Sequence, residues 1–133
     1  NAPLDLSLAV VPDMVEAGWG RIVNISSSSA QGGQQLMAHY VSSKAGMIGL
    51  TKSLAKELAP RNIVANCITP AAARTEIFSQ MKQEHVDYML ARIPMGRFLE
   101  LDEVAALICW LASEDCSFST GAVFDISGGR ATY

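Results

Sequence analysis

The sequence has little charge and no long apolar run, and both shortages exclude classes of protein. Only 17% of the 133 residues are charged and the net charge is -3, so no basic field is present for nucleic acid or anionic lipid. The longest mostly apolar stretches, such as residues 105–112, are far shorter than the roughly 20 residues that cross a bilayer. We therefore expect no nucleic-acid partner and no membrane partner.

Cysteine is also scarce, and its placement excludes a disulfide framework. Cys67, Cys109 and Cys116 are odd in number, far apart, and without the spacing of a zinc site or a redox pair. We predict no metal site and a reducing, cytoplasmic location. Half of the residues are apolar, which is enough for a core and argues against disorder.

Helix-like and strand-like segments alternate along the chain. Periodicity predicts helices over residues 4–15 and 38–58, a weaker helical region over 76–93, and a helix from the cap Asp102 to about residue 112. Short β-rich runs predict strands at residues 21–26, 62–68 and 122–127. Such alternation is typical of parallel βαβ units, so the predicted fold class is α/β.

Three parallel strands form a thin sheet, and the first is expected to have an unpaired edge. An open edge of this kind is a pairing hazard. The sequence also has no initiating methionine and starts at or inside a helical pattern. We therefore expect residues 1–133 to be the C-terminal portion of one larger domain, with no separate second domain.

The segment ISSSSAQGGQQLMAHYVSSK, residues 25–44, contains the candidate chemistry. Tyr40 and Lys44 lie four residues apart, so they share one face near the start of the predicted helix. Tyrosine, with a pKa of about 10, is a poor acid or base at neutral pH, but a nearby ammonium and the positive end of a helix favour its phenolate. A serine after the preceding strand could hydrogen-bond the same substrate oxygen. The Tyr-Lys pair alone is weak evidence, because packing and a solvated charge also produce it.

The surrounding segments make the pattern specific. GRIVNISS, YVSSKAGMIGLTKSLAKEL, NCITP, IPMGRFLELDEVAALICWLAS and STGAVFDISGG follow in order. Together they resemble the C-terminal half of the short-chain dehydrogenase/reductase family over residues 4–129, in particular its 3-oxoacyl-[acyl-carrier-protein] reductase-like members. The resemblance implies a Rossmann-like doubly wound parallel sheet, of which this chain holds about three strands and lacks the N-terminal nucleotide-binding strands.

The resemblance also assigns catalytic roles by position. Tyr40 matches the family's proton-transferring tyrosine, and Lys44 matches the lysine that favours its ionised form and hydrogen-bonds the nicotinamide ribose. The family's serine lies thirteen residues before the tyrosine, which indicates Ser27. Ser26 is the alternative, and the two serines that follow, Ser28 and Ser29, are interpreted as loop hydrogen-bonding residues.

The loop after the second strand matches the family's nicotinamide-binding segment. Pro70 matches its proline, and Ala73 and Thr75 occupy positions that contact the cofactor carboxamide or diphosphate. Ala71 replaces the usual glycine, which restricts positive φ angles. The implied cofactor is NADP or NAD, but the adenosine half of its site is missing, and Gly32-Gly33 and Gly128-Gly129 are interpreted as loop glycines.

Other polar residues receive structural interpretations. Asn1 is taken as a neighbour of the family's relay asparagine, and Asn24 as a strand residue. His39 is expected in a loop or interface and His85 in solvent.

The residues at 76–98 that could form either ordinary packing or an apolar lid favouring an acyl substrate are Ile77, Phe78, Met81, Met89, Met95 and Phe98.

The function implied is NAD(P)(H)-dependent reduction of a ketone, or oxidation of a secondary alcohol, with a small-molecule substrate of 3-oxoacyl type. As a fragment the chain is expected to be inactive alone, and the family's helix contacts imply a homo-oligomer, dimer or tetramer. One alternative is a sugar or polyol dehydrogenase; the compact C-terminal ending disfavours an epimerase. A further alternative is a catalytically silent interaction module.

Overall fold

The computed structural model describes residues 2–73 and 75–131. Within the second range, residues 76 and 77 are described by their backbone only. The helices are α1 (Ala2–Ala17), α2 (Ser29–Gly32), α3 (Ala38–Leu58), α4 (Gln83–Leu90) and α5 (Leu101–Leu111). The strands are β1 (Gly20–Ile25), β2 (Ile63–Pro70) and β3 (Val123–Ile126), and 3₁₀ turns occupy Ala59–Arg61 and Glu76–Gln80.

The strands form one parallel sheet in the order β1-β2-β3. Gly20 is opposite Ile63 at the start of the first pair, and Cys67 is opposite Val123 in the second. The predicted parallel α/β sheet is therefore confirmed. Because all three strands run in the same direction, their carboxyl ends meet at one edge, where α/β proteins bind ligands.

Helices cover both faces of the sheet because the central strand β2 is apolar on both sides. Successive side chains of a strand point to opposite faces, which divides the core into two clusters. On one face, Ile22, Ile63 and Ala65 pack against Leu54, Ala55 and Leu58 of α3, with partly buried residues of α1 around them. On the other face, Val64 and Ile68 pack against Leu111 and Cys116, with further contacts from α5. The doubly wound arrangement is thus confirmed for the described strands.

Some element boundaries match the sequence prediction and others do not. Helix α3 has the predicted bounds, followed by the turn that contains Pro60. The segment predicted as a loop before α3 contains the short helix α2. The region predicted as one weak helix over residues 76–93 is divided into a 3₁₀ turn and α4. Short amphipathic segments are not resolved by periodicity alone, because it does not distinguish a turn from the end of a helix.

The prediction of Asp102 as the cap of α5 is wrong, because Glu100 occupies that position. Glu103, three residues later, accepts a hydrogen bond from the Glu100 backbone N–H at 3.0 Å. This is the capping-box arrangement, with a glutamate at both positions. Glu103 also pairs with Arg97, with 2.6 Å between Oε1 and Nη2, so the start of α5 is joined to the segment before it.

We expect the Glu103 carboxyl to titrate at unusually low pH. The hydrogen bond from the Arg97 side chain, and next the one from the Glu100 backbone, lower the pKa of Glu103 from the usual 4.5 to about 2. Because the folded-state pKa is depressed, the stabilisation is complete above pH 4.5 and is lost as the pH falls towards 2. A carboxyl ¹³C NMR titration of the protein measures this directly. Arg97→Met should return the midpoint towards 4.5, whereas Arg61→Met should not change it; an ordinary midpoint in the unmodified protein would contradict the prediction.

Among the described residues, β1 pairs with β2 on one side and has no strand on the other. Ile25 at its end is 45% exposed. A hollow of about 450 Å³ lies between α1 and β1, lined largely by apolar side chains that include Leu6, Val10 and Met14. The open edge predicted from the sequence is therefore present. No helix in the described part of the chain is long and apolar enough to cross a membrane.

Candidate active site

A cleft of about 320 Å³ opens where the chain leaves β1 and β2 at the carboxyl edge of the sheet. One wall comes from the serine segment and the start of α3, and the opposite wall from α4. Its lining residues are Ser26, Ser27, Ser28, Ser29, Gln34, Met37, Tyr40, Pro70, Ala71, Ala72, His85, Tyr88, Met89, Arg92 and Arg130. Ser27, Tyr40 and Pro70 of the predicted site therefore meet in one cleft.

Ser26 and Ser27, the two candidates for the catalytic serine, differ in their hydrogen bonds. The Ser26 hydroxyl donates to the backbone carbonyl of Lys44 at 2.7 Å, so its proton is already engaged. The Ser27 hydroxyl oxygen accepts a bond from the Ser29 N–H at 3.2 Å, and its proton has no acceptor among the described residues. Since a hydroxyl can donate one bond and accept others, Ser27 remains able to donate to a ligand in the cleft. The geometry thus favours Ser27 over Ser26.

Tyr40 and Lys44 lie on α3 where the helix begins. Tyr40 is in the first turn, where the helix dipole is positive. The Lys44 ammonium nitrogen lies 5.9 Å from the centroid of the Tyr40 ring and donates to the Ile25 carbonyl at 2.9 Å. This bond tethers the ammonium to the end of β1 and uses one of its three donors. The remaining donors are available to a ligand beside Tyr40.

The loop after β2 contributes only part of what the sequence predicts. Pro70 and Ala71 line the cleft, and neither has a positive φ, so the alanine in place of glycine is accommodated without left-handed backbone. Ala73 instead forms an isolated parallel bridge with Leu99, and Thr75 is exposed. Ala73 and Thr75 are not among the residues that line the cleft.

The other wall of the cleft comes from α4 and the turn after it, within the segment 76–98 that the sequence predicts either to pack or to form a lid. Met89 was among the residues singled out there, but Tyr88 and Arg92 were not. His85, Tyr88 and Met89 of α4 line the cleft, and Arg92 lines it from the turn that follows the helix. The Arg92 guanidinium lies 4.4 Å from the centroid of the Tyr88 ring, and the His85 and Tyr88 rings are stacked at 6.4 Å. His85 is exposed, as expected, but it borders the cleft. Its i, i+3, i+7 relation to Tyr88 and Arg92 was the available signal.

The remaining candidates have other positions. His39 is exposed and does not line the cleft. Asn24 donates to Thr51 Oγ1 at 2.9 Å from within β1. Phe98 is buried and contacts the Phe78 ring edge-on at 4.6 Å, so this aromatic pair packs together. The expectations for Asn1 and for the Ile77 side chain lie outside the described residues.

The cysteines and acidic residues give no sign of metal chemistry in the described ranges. No group of His, Cys, Asp or Glu side chains there could hold a metal ion. Cys67 and Cys116 are buried free thiols, and Cys109 is an exposed one. Burial raises the pKa of the Cys67 thiol, so it is kept in its neutral form.

Comparison with known proteins places this fold and cleft in a family. A family model described as enoyl-(acyl carrier protein) reductase matches residues 1–131. A crystal structure of 3-oxoacyl-[acyl-carrier protein] reductase from Brucella melitensis superposes with a TM-score of 0.93 and 34% identity, over 98% of this chain and 49% of that one. The chain belongs to the short-chain dehydrogenase/reductase family.

Within the family, the chain is similar to proteins whose names give different substrates. It is 51% identical over 124 residues to 2-dehydro-3-deoxy-L-rhamnonate dehydrogenase (NAD(+)) of Sphingomonas sp. (strain SKA58), covering 93% of this chain and 50% of that protein. It is 43% identical over 116 residues to 3-oxoacyl-[acyl-carrier-protein] reductase FabG of Aquifex aeolicus, covering 87% and 47%. The chain thus spans about half the length of the curated relatives it matches.

Proposed function

We propose that this chain is the catalytic portion of an NAD(P)(H)-dependent oxidoreductase that reduces a ketone or oxidises a secondary alcohol. The observation that carries the proposal is the convergence of Ser27 and Tyr40 in one cleft, with the Lys44 ammonium held next to Tyr40. These three groups can hold a substrate oxygen and exchange a proton with it. Membership of a family of oxidoreductases supports the same reading.

In the proposed reduction, a nicotinamide cofactor held at this site would supply the hydride that the carbonyl carbon accepts. Tyr40 gives its phenolic proton to the carbonyl oxygen, which becomes the alcohol, and the tyrosine is left as phenolate. Lys44 stabilises that phenolate, and its spare donors would hold the nicotinamide ribose of a bound cofactor. Ser27 donates a hydrogen bond to the same substrate oxygen and thereby stabilises its developing charge. Pro70, Ala73 and Thr75 are proposed to contact the nicotinamide side of the cofactor.

Residues 1–133 are proposed to be the C-terminal portion of a single domain, with the adenosine-binding strands outside this sequence. The open edge of β1 and the apolar hollow beside it support this proposal, because a continuing sheet would cover both. The half-length coverage of the relatives agrees with it. NAD and NADP both remain candidate cofactors, and the 133-residue chain alone is expected to be inactive.

A cofactor titration tests whether the adenosine-binding half of the site lies outside these 133 residues. We expect the 133-residue chain to show no saturable fluorescence change with NADH or NADPH up to millimolar concentration, because half of the site is missing. The full-length natural polypeptide that contains it should bind one of them at micromolar concentration. Saturable micromolar binding by the 133-residue chain would contradict the proposal that half of the cofactor site lies outside it. Failure of the full-length polypeptide to bind either nucleotide would instead favour the silent interaction module.

The substrate class has two candidates. The sequence predicts a 3-oxoacyl compound, and relatives include a 3-oxoacyl-[acyl-carrier-protein] reductase and an acetoacetyl-CoA reductase. A sugar-type acid is the second candidate, favoured by the 51% identical relative and by the polar side chains that line the cleft. A small-molecule substrate is proposed in either case.

Assembly and location are also proposed. A homo-oligomer is supported by apolar side chains that stand exposed on α1, such as Leu6 and Leu8, which are 67% and 56% exposed. A cytoplasmic location is supported by the free thiols Cys67, Cys109 and Cys116, which fit a reducing compartment.

A further inference from the structure

We propose that Arg92 and Arg130 bind a carboxylate of the substrate, so that the enzyme acts on a small oxo acid or on the corresponding hydroxy acid. This inference rests on the proposed oxidoreductase function and narrows its substrate. Both arginines line the cleft that contains Ser27 and Tyr40. One follows α4 and the other follows β3, so two segments distant in sequence each contribute an arginine to the same cleft.

The charge of the cleft is what an anionic substrate requires. As far as the chain is described, its lining contains the two arginines and no aspartate or glutamate. The positive charge is therefore not neutralised by a carboxylate of the cleft wall. Guanidinium groups offer planar pairs of donors that match a carboxylate, and such charge-assisted bonds are the stronger ones.

The contacts that the two arginines already make leave most of their donors available. Arg130 Nη2 donates to Gln34 Oε1 at 3.3 Å, and that oxygen also accepts a shorter bond of 2.8 Å from the Ser29 hydroxyl. Gln34 thus positions Arg130 with one long bond. Arg92 lies over the Tyr88 ring, and a guanidinium stacked on a ring keeps the donors at its edge free. Each arginine is positioned by a neighbour without being saturated.

The dimensions and chemistry of the cleft favour a small polar acid over a long acyl chain. Its volume of about 320 Å³ is near the lower end of the range for ligand sites, roughly 300–1,000 Å³. Methionines, alanines and a proline form part of the wall, but serines, a glutamine, two tyrosines, a histidine and the arginines form the rest. A thioester without a free carboxylate would leave Arg92, which is exposed, and Arg130, which is partly buried, without an anionic partner in the cleft.

The test compares acids with their neutral esters in the full-length polypeptide loaded with its cofactor. The probes are pyruvate, acetoacetate and 4-oxopentanoate, each beside its methyl ester, so that the distance between carbonyl and carboxylate is varied. We expect at least one acid to exceed its ester at least tenfold in kcat/KM. Arg92→Met and Arg130→Met should each raise KM for that acid about tenfold or more, with little effect on the ester.

Matched variants keep the result interpretable. Arg92→Lys should restore part of the preference because it keeps the charge, whereas Arg61→Met, an exposed arginine that does not line the cleft, should change neither substrate. Thermal melting checks that the variants are folded. Equal or better turnover of every ester by the unmodified protein, or equal loss for acid and ester in the arginine variants, would overturn the carboxylate proposal alone. Absence of turnover with every compound would overturn the proposed function and this inference together.

Discussion

Replacing Tyr40 by phenylalanine is expected to lower kcat of the full-length protein by about 10²–10⁴-fold, the usual contribution of positioned acid-base catalysis. The substitution removes one oxygen and keeps the ring that lines the cleft beside Lys44. The proton donor is lost, but the packing at the start of α3 is retained. Steady-state oxidation of NAD(P)H with a ketone substrate measures the loss.

Tyr88→Phe is the matched control, because it makes the same chemical change on the opposite wall of the same cleft. We expect it to retain most of the activity, since the Tyr88 ring and its contact with Arg92 remain. Circular dichroism and cofactor titration should show that both variants fold and bind nucleotide. A Tyr40→Phe protein that keeps more than a tenth of the unmodified rate would refute the assignment of Tyr40.

Ser27→Ala is expected to reduce kcat by about 10²–10³-fold, the loss that follows removal of one donor to a developing oxyanion. Its hydroxyl proton is free for substrate, whereas that of Ser26 is bound to the Lys44 carbonyl. Ser26→Ala should therefore affect mainly stability, by about 1 kcal/mol, because it removes one buried hydrogen bond. The same substitution at these two adjacent serines therefore distinguishes a catalytic role from a structural one.

The measurements for the two serine variants are kcat with saturating substrate and the free energy of unfolding in urea. The expected pattern is a large loss of kcat for Ser27→Ala and a modest loss of stability for Ser26→Ala. If the larger loss of kcat falls on Ser26→Ala instead, Ser26 is the serine that hydrogen-bonds the substrate oxygen. Equal and small losses would contradict a role for either hydroxyl in holding the substrate oxygen.

Much of the architecture was predictable because it depends on local patterns. The bounds of α3 follow from its periodicity and from Pro60, which has no amide hydrogen to continue a helix. The three parallel strands follow from short apolar runs separated by helices. The start of α5 was predicted two residues late, at Asp102, because either acidic residue could cap and only the contacts of Glu103 select Glu100.

The tyrosine and lysine at the centre of the candidate site could be predicted from the sequence, but the residues at its rim could not. Tyr40 and Lys44 are one helical turn apart, so their common face follows from the sequence. The choice between Ser26 and Ser27 required the family spacing, and the structure supports it through their different hydrogen bonds. Segment 76–98 was expected to pack or to close over substrate. In the structure Phe98 is buried and Met89 lines the cleft, whereas closure over substrate stays a prediction.

The sequence by itself determined the family, the parallel α/β fold and the pairing of tyrosine with lysine, because each depends on residues close together along the chain. Only the tertiary structure decided which side chains face the tyrosine. Arg92 follows α4 and Arg130 follows β3, both far from Tyr40 in sequence, and only the fold brings them to one cleft. The carboxylate site proposed for these two arginines has no local sequence pattern that would reveal it.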